Sequence, residues 1–177
     1  MDSSVGSAPG RIWYLQWQND RLTLQHLFEL ADDSLEQIRR YRDHGDLIVA
    51  ATRSSVIGYV QVVGRGTECD FELKSIAVVE RHRRRGVGSE LLHAAIRYCQ
   101  DLGAPRLRVS TSIASLGAIR FYLRHGFRAR AIVRDAFSPG AGYRPDAMLD
   151  GLPLNDALEL EIMLGTPANA APKGVGK

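Results

Sequence analysis

The chain has 177 residues, of which 45% are hydrophobic and 24% charged, and its formal net charge is +3. That length supports one sizeable core and is short for two, and no apolar run approaches the roughly twenty residues of a membrane helix. The two cysteines, Cys69 and Cys99, lie far apart without CxxC spacing, which argues against a disulfide framework and against a zinc site. The opening "MDSSVGSAPG" lacks the basic and apolar parts of a secretory signal, so a soluble, cytoplasmic protein with no membrane partner is expected. Lysine occurs only at Lys74, Lys173 and Lys177, so nearly all the positive charge is arginine.

Residues 1–10 and 165–177 are rich in Ser, Gly, Pro and Ala and read as flexible ends around one domain, 11–164. In chain order, "RIWYLQW" alternates as a first strand, and "SLEQIRRYRDHG" carries Leu35, Ile38 and Tyr41 at helical spacing up to Gly45. "DLIVAATR" and "VIGYVQVVG" flank a polar turn as a hairpin, and "CDFELKSIAVV" makes a longer strand after it. From Gly86 the period changes: Val87, Leu91, Leu92, Ala95 and Ile96 form a helical stripe that ends before Gly103 and Pro105. "RLRVSTS" is the next strand, "SLGAIRFYLRHG" a helix, and "FRARAIVRDAF" and "ALELEIML" the last two strands. This order predicts an α/β (α+β) domain with a mixed, mostly antiparallel central sheet of about seven strands flanked by helices.

The most pointed stretch is "VERHRRRGVGSE", where arginines meet a glycine-spaced turn from strand into helix. Gly86 and Gly88 remove side chains where backbone N–H groups face outward, and a helix N-terminus carries about half a positive charge. Arg83, Arg84 and Arg85 add guanidinium forks beside it, a combination that suits a diphosphate. No "GK[ST]" closes a P-loop and no third glycine completes a dinucleotide fingerprint. A basic nucleic-acid arm is a weaker fit, because such patches lack the paired glycines and the apolar helix behind them.

These letters resemble the GCN5-related N-acetyltransferases, whose signature Arg/Gln-x-x-Gly-x-Gly/Ala falls here on Arg83, Gly86 and Gly88. The resemblance runs through "LKSIAVVERHRRRGVGSELLHAAI" and "STSIASLGAIRFYLRHGF" and implies acetyl-CoA as cosubstrate without a metal. It assigns the pyrophosphate loop to Arg83, Arg84, Arg85, Gly86, Val87, Gly88 and Ser89. It assigns pairing with the pantetheine arm to the main chain of Ile76, Ala77 and Val78. Where the family commonly has Asn, this chain has Ser115, which keeps one side-chain hydrogen bond rather than two.

Acetyl transfer to an amine needs an unprotonated amine and a proton for the departing thiolate. Tyr122 matches the family's general acid, a phenol that stays protonated near neutral pH; an aromatic on a helix also packs into a core. Glu72 matches the general base of histone-modifying members, with a chain of waters as the alternative. On a regular strand it shares one face with Lys74, Ile76 and Val78. Asp135, Asp146, Asp150 and Asp156 could line an acceptor pocket, Tyr41 and Tyr143 could wall it, and the histidines show no metal spacing. The expected acceptor is a primary amine of a small molecule or peptide. An RNA-directed activity and a non-catalytic acyl-CoA-binding domain are the alternatives, and the exposed final strands would allow a homodimer to pair through an edge.

Overall fold

The computed structural model describes residues 11–66 and 70–165. The proposed flexible ends lie outside these residues apart from Gly165, as does Cys69. The chain opens with β1 (Trp13–Gln16), a 3-10 turn at Arg21–Leu24, α1 (Gln25–Phe28) and α2 (Leu35–Tyr41). There follow β2 (Asp46–Ala51), β3 (Val56–Gly64), β4 (Phe71–Val78), a 3-10 turn at Glu80–His82 and α3 (Val87–Asp101). The second half holds β5 (Arg106–Ser112), α4 (Leu116–Arg124), β6 (Arg128–Val133), the small strands β7 (Met148–Leu149) and β8 (Leu152–Pro153), and β9 (Ala157–Met163).

Seven strands form one sheet in the order β1-β2-β3-β4-β5-β9-β6. Every neighbouring pair is antiparallel except β4 and β5, which are joined through α3 and run parallel. The expected α/β class and strand count therefore hold. The sequence reading missed α1 with its 3-10 turn and the β7–β8 hairpin, and it ran the strand of β6 on to Phe137. Asp135 ends that extension with a left-handed φ of 54°, a conformation no strand sustains.

The period-3.6 stripe of α3 buries Leu91, Leu92, Ala95 and Cys99 against Val60, Val62, Leu73 and Leu107, and α4 adds Tyr122 to the same core. On the opposite face, Leu27, Phe28 and Ile38 of α1 and α2 pack on Val49 and Tyr59. Alternation decides what the rest of that face carries. Because Leu107, Val109 and Leu160 point into the α3 core, Arg106, Arg108, Glu159 and Glu161 point away from it. They form an ion-pair ladder, with Arg108 Nη1 2.9 Å from Asp70 Oδ2 and Arg130 Nη1 2.7 Å from Glu159 Oε2.

Candidate active site

The site grows from an irregularity in β4. Opposite β3, Gln61 faces Ser75 while Val62 faces Leu73, so Lys74 is an extra residue and the strand is bulged there. A bulge shifts the alternation by one. Leu73 points into the α3 core before it and Ile76 and Val78 do so after it, while Ala77 packs on the α1–α2 side. The expected common face of Glu72, Lys74, Ile76 and Val78 is thus corrected. Glu72 and Lys74 lie on the α2 side, where Lys74 Nζ sits 5.4 Å from the centroid of the Tyr41 ring. Glu72 is largely buried and paired, with Arg65 Nε at 3.5 Å and Lys74 Nζ at 3.7 Å.

Strand β5 accompanies β4 only from Phe71 to Leu73, opposite Leu107 to Val109. Past that point no strand among the described residues lies on this edge of β4, and the main chain from Ser75 to Val78 is open to an extended ligand. The chain then turns, and Arg83 Nε donates back to the Val78 carbonyl at 2.9 Å. Arg84 and Gly86 both adopt left-handed φ, 58° and 82°. Gly86 is the N-cap of α3 and provides no side-chain acceptor, which leaves the N–H groups of Val87, Gly88 and Ser89 uncapped at the positive end of a 15-residue helix. A Cβ on Gly88 would stand 3.8 Å from Val78 Cγ2 and 3.9 Å from the Phe121 ring, ordinary contact distances. Packing inside the protein therefore does not demand glycine there.

Tyr122 is 4% exposed, with its ring 5.3 Å from Phe121 and 5.5 Å from Phe127. Its hydroxyl has no hydrogen-bond partner among the described residues, and burial pushes its pKa up, so the phenol keeps its proton. Ser115 caps α4 with its backbone while its side chain makes no capping bond. A cleft of about 920 Å³ brings these parts together: Ile76 to Val78, Arg83, Arg84, Ser115, Tyr122 and Glu72 line it, whereas Arg85 to Ser89 do not.

The far wall of the cleft was only partly legible in the sequence. Tyr41, Tyr143, Asp32 and Phe137 line it, and none of Asp135, Asp146, Asp150 or Asp156 does. The wall is a clasp between distant segments: Ser34 Oγ donates to the Gly142 carbonyl at 2.8 Å, Gln37 Nε2 donates to that of Ala141, and the Tyr143 ring lies 5.0 Å from that of Phe137. Tyr143 Oη donates to Asp32 at 3.3 Å and 3.4 Å across 111 residues of sequence. Burial raises the pKa of Asp32 and pushes that of Tyr41 up to about 12. Asp32 stands in "ADDS" and reads as part of the Ser34 cap of α2; only the return of the late loop makes it a cleft residue. Among the described residues no group of three or more His, Cys, Asp or Glu could hold a metal ion. No helix of the described residues is long and apolar enough to cross a membrane.

A sheet splayed after three parallel pairs, with an uncapped helix N-terminus at the head of the opening, is the frame of an acyl-CoA-dependent transferase. Residues 12–127 match the model of the acetyltransferase (GNAT) family, and the chain belongs to that family. It is 29% identical over 141 residues to the uncharacterized N-acetyltransferase YvbK of Bacillus subtilis, covering 80% of this chain and 89% of that one. Among solved structures, a B. subtilis acetyltransferase in complex with CoA matches with a TM-score of 0.78 at 25% identity, over 87% of this chain and 99% of that one. A GNAT family acetyltransferase from Elizabethkingia anophelis with acetyl-CoA bound matches with a TM-score of 0.79 at 27% identity, over 86% and 98%.

Proposed function

We propose that the chain is a cytoplasmic acetyl-CoA-dependent N-acetyltransferase that acetylates a primary amine of a small molecule or peptide by direct transfer. One observation carries this reading: a single cleft joins the open edge of β4 and the guanidinium-bearing turn before α3 to the Tyr122 hydroxyl and the wall of Glu72, Tyr41 and Asp32. The donor fits the residues present, because the uncapped N–H groups at Val87 to Ser89 and the two left-handed residues before them form an anion-binding concavity. When bound, acetyl-CoA supplies the acyl group already activated as a thioester.

The chain's own residues then position and move protons. The main chain of Ile76 to Val78 holds the extended arm of the donor, and Ser115 offers a hydroxyl beside it. Tyr122 keeps its phenolic proton at Oη, delivers it to the departing sulfur and regains one from the acetylated nitrogen as the amide forms. Glu72 takes the ammonium proton of the acceptor, directly or through water. Its pairing with Arg65 and Lys74 fixes the carboxylate in place.

The reading is tested by thiol release from acetyl-CoA across a panel of polyamines, amino acids, aminoglycosides and peptides, together with thermal melts. A ligand at about 100 times its dissociation constant stabilises the native state by about 2.7 kcal/mol, several degrees of Tm for a domain of this size. CoA should raise Tm by that order and adenosine by much less. An unmoved melting curve with saturating CoA, or no thiol release with any amine, overturns the reading.

A further inference from the structure

We propose that the acceptor is a small di- or polycationic amine whose second cationic group, away from the reacting nitrogen, is held by the Asp32 carboxylate beside the Tyr41 and Tyr143 rings. The proposal rests on the acetyltransferase reading of the cleft and makes Asp32 the residue that sets acceptor class.

Asp32 is half-buried in the cleft and accepts the Ser34 N–H at 2.9 Å and the long bonds from Tyr143 Oη. No ion pair among the described residues involves it. Lys74 also lines the cleft, but it pairs with Glu72 and lies over the Tyr41 ring. A carboxylate withdrawn from water without a cation of its own is costly, and such groups gather where a ligand supplies the missing charge. Burial is the largest influence on Asp32 and raises its pKa; the Ser34 and Tyr143 hydrogen bonds and Lys74 act against it, and neighbouring Asp33 acts with it.

The walls suit the same ligand. Lys74 already lies over the Tyr41 ring at cation–π distance, and Tyr143 and Phe137 present further aromatic surface for a second cation. The clasp of Ser34 on Gly142 and Gln37 on Ala141 holds these rings and Asp32 in a fixed relation, so recognition needs little ordering on binding. A monoamine would leave Asp32 unmatched. Sites built around a polar partner reject the analogue that lacks it.

The experiment uses the unmodified full chain with α,ω-diamines of three to eight carbons and the n-alkyl monoamines of the same lengths. Initial rates give KM and kcat, and calorimetry in the presence of CoA gives acceptor binding without turnover. The best diamine should bind and react with a KM about 10- to 100-fold below that of its monoamine, the worth of one charge-assisted hydrogen bond, with kcat similar. Asp32→Asn should raise the diamine KM by a like factor and the monoamine KM far less, and Asp32→Glu should recover part of the difference.

Stability provides a readout that a structural role for Asp32 would move the other way. With its folded-state pKa raised above the unfolded value, Asp32 favours the native state when protonated and loses that contribution as pH rises through its raised pKa. The ligand-free Asp32→Asn protein should therefore melt no lower than wild type at pH 7, and wild type should lose ground to it as pH rises from about 4. Equal binding and KM for diamines and monoamines in the wild-type chain, with thiol release intact, overturns the proposal and leaves the acetyltransferase standing. Absence of thiol release from every amine together with no stabilisation by CoA overturns both.

Discussion

Arg83 Nε donates to the main-chain carbonyl of Val78 at 2.9 Å, tying the first signature residue of the turn to the last residue of β4. The arginine run is exposed throughout, yet it is not three equivalent cations: Arg83 sets where the turn leaves the strand, while Arg84 and Arg85 make no side-chain hydrogen bond or ion pair among the described residues. Arg83→Ala should weaken CoA binding about fivefold more than Arg85→Ala, the worth of a hydrogen bond of about 1 kcal/mol, when both are titrated by calorimetry at one ionic strength. Equal losses would mean that Arg83 acts only through its charge.

The two glycines of the turn should fail differently. Gly86 has φ of 82°, so Gly86→Ala carries left-handed strain of about 1–2 kcal/mol and should lower Tm as well as CoA affinity. Gly88→Ala meets only ordinary contacts within the protein and should melt near wild type. Its new methyl would still stand at the uncapped N–H groups, so CoA affinity should fall. A Gly88→Ala protein with unchanged CoA affinity would place the anion elsewhere.

Gln61 is fully buried and its Nε2 reaches the carbonyls of Tyr41 at 2.8 Å and His44 at 2.7 Å, closing the end of α2 onto the sheet. Gln61→Leu keeps most of the volume and removes these donations, but the Tyr41 carbonyl still accepts the His44 N–H at 3.0 Å and the His44 carbonyl still accepts from Arg21 Nη1 at 2.7 Å, so the loss is about 1 kcal/mol. Thermal melts should show Tm lower by roughly 2–4 °C. Because α2 carries Tyr41, KM for the acceptor should rise while CoA affinity stays near wild type.

Glu72→Gln separates a general base from a structural ion-pair partner. A base should cost activity near neutral pH and allow partial recovery at high pH, where more acceptor amine is already deprotonated in solution. If Glu72 serves only to pair Arg65 and Lys74, the variant should show a lower Tm and a pH–rate profile of unchanged shape.

The seven strands along the chain, helix α3 and the glycine-bearing turn before it were legible because each rests on local pattern. Continuous apolar, β-branched runs buried on both faces mark β2 and β3, alternation marks β5, the 3.6 period marks α3, and glycines at Gly86 and Gly88 mark the turn between strand and helix. Two things escaped. The bulge at Lys74 has no signal of its own in "FELKSIAV", where unbroken alternation reads equally well, so the shift of Ile76 and Val78 away from Glu72 shows only when β3 is laid beside it. Asp32 escaped, although Tyr143 was expected as a wall, because their contact depends on long-range closure of a loop built from Pro139, Gly140 and Gly142, whose path no periodicity encodes.

Tyr122 divides an enzyme from a protein that only binds acyl-CoA. Its ring fills space against Phe121 and Phe127, and its hydroxyl lacks a partner among the described residues, so Tyr122→Phe removes one atom and no internal hydrogen bond. Folding and the dissociation constant for acetyl-CoA should stay near wild type. Burial raises the phenol's pKa, so its proton is present throughout the range in which the enzyme works, and loss of general acid assistance should appear as a slower chemical step without a new titration near neutrality. The expected loss is about 10²–10⁴-fold, measured in a single turnover with enzyme in excess so that product release does not mask it. A Tyr122→Phe protein that acetylates its best acceptor at the wild-type single-turnover rate would reduce Tyr122 to a packing residue and require the proton to come from water.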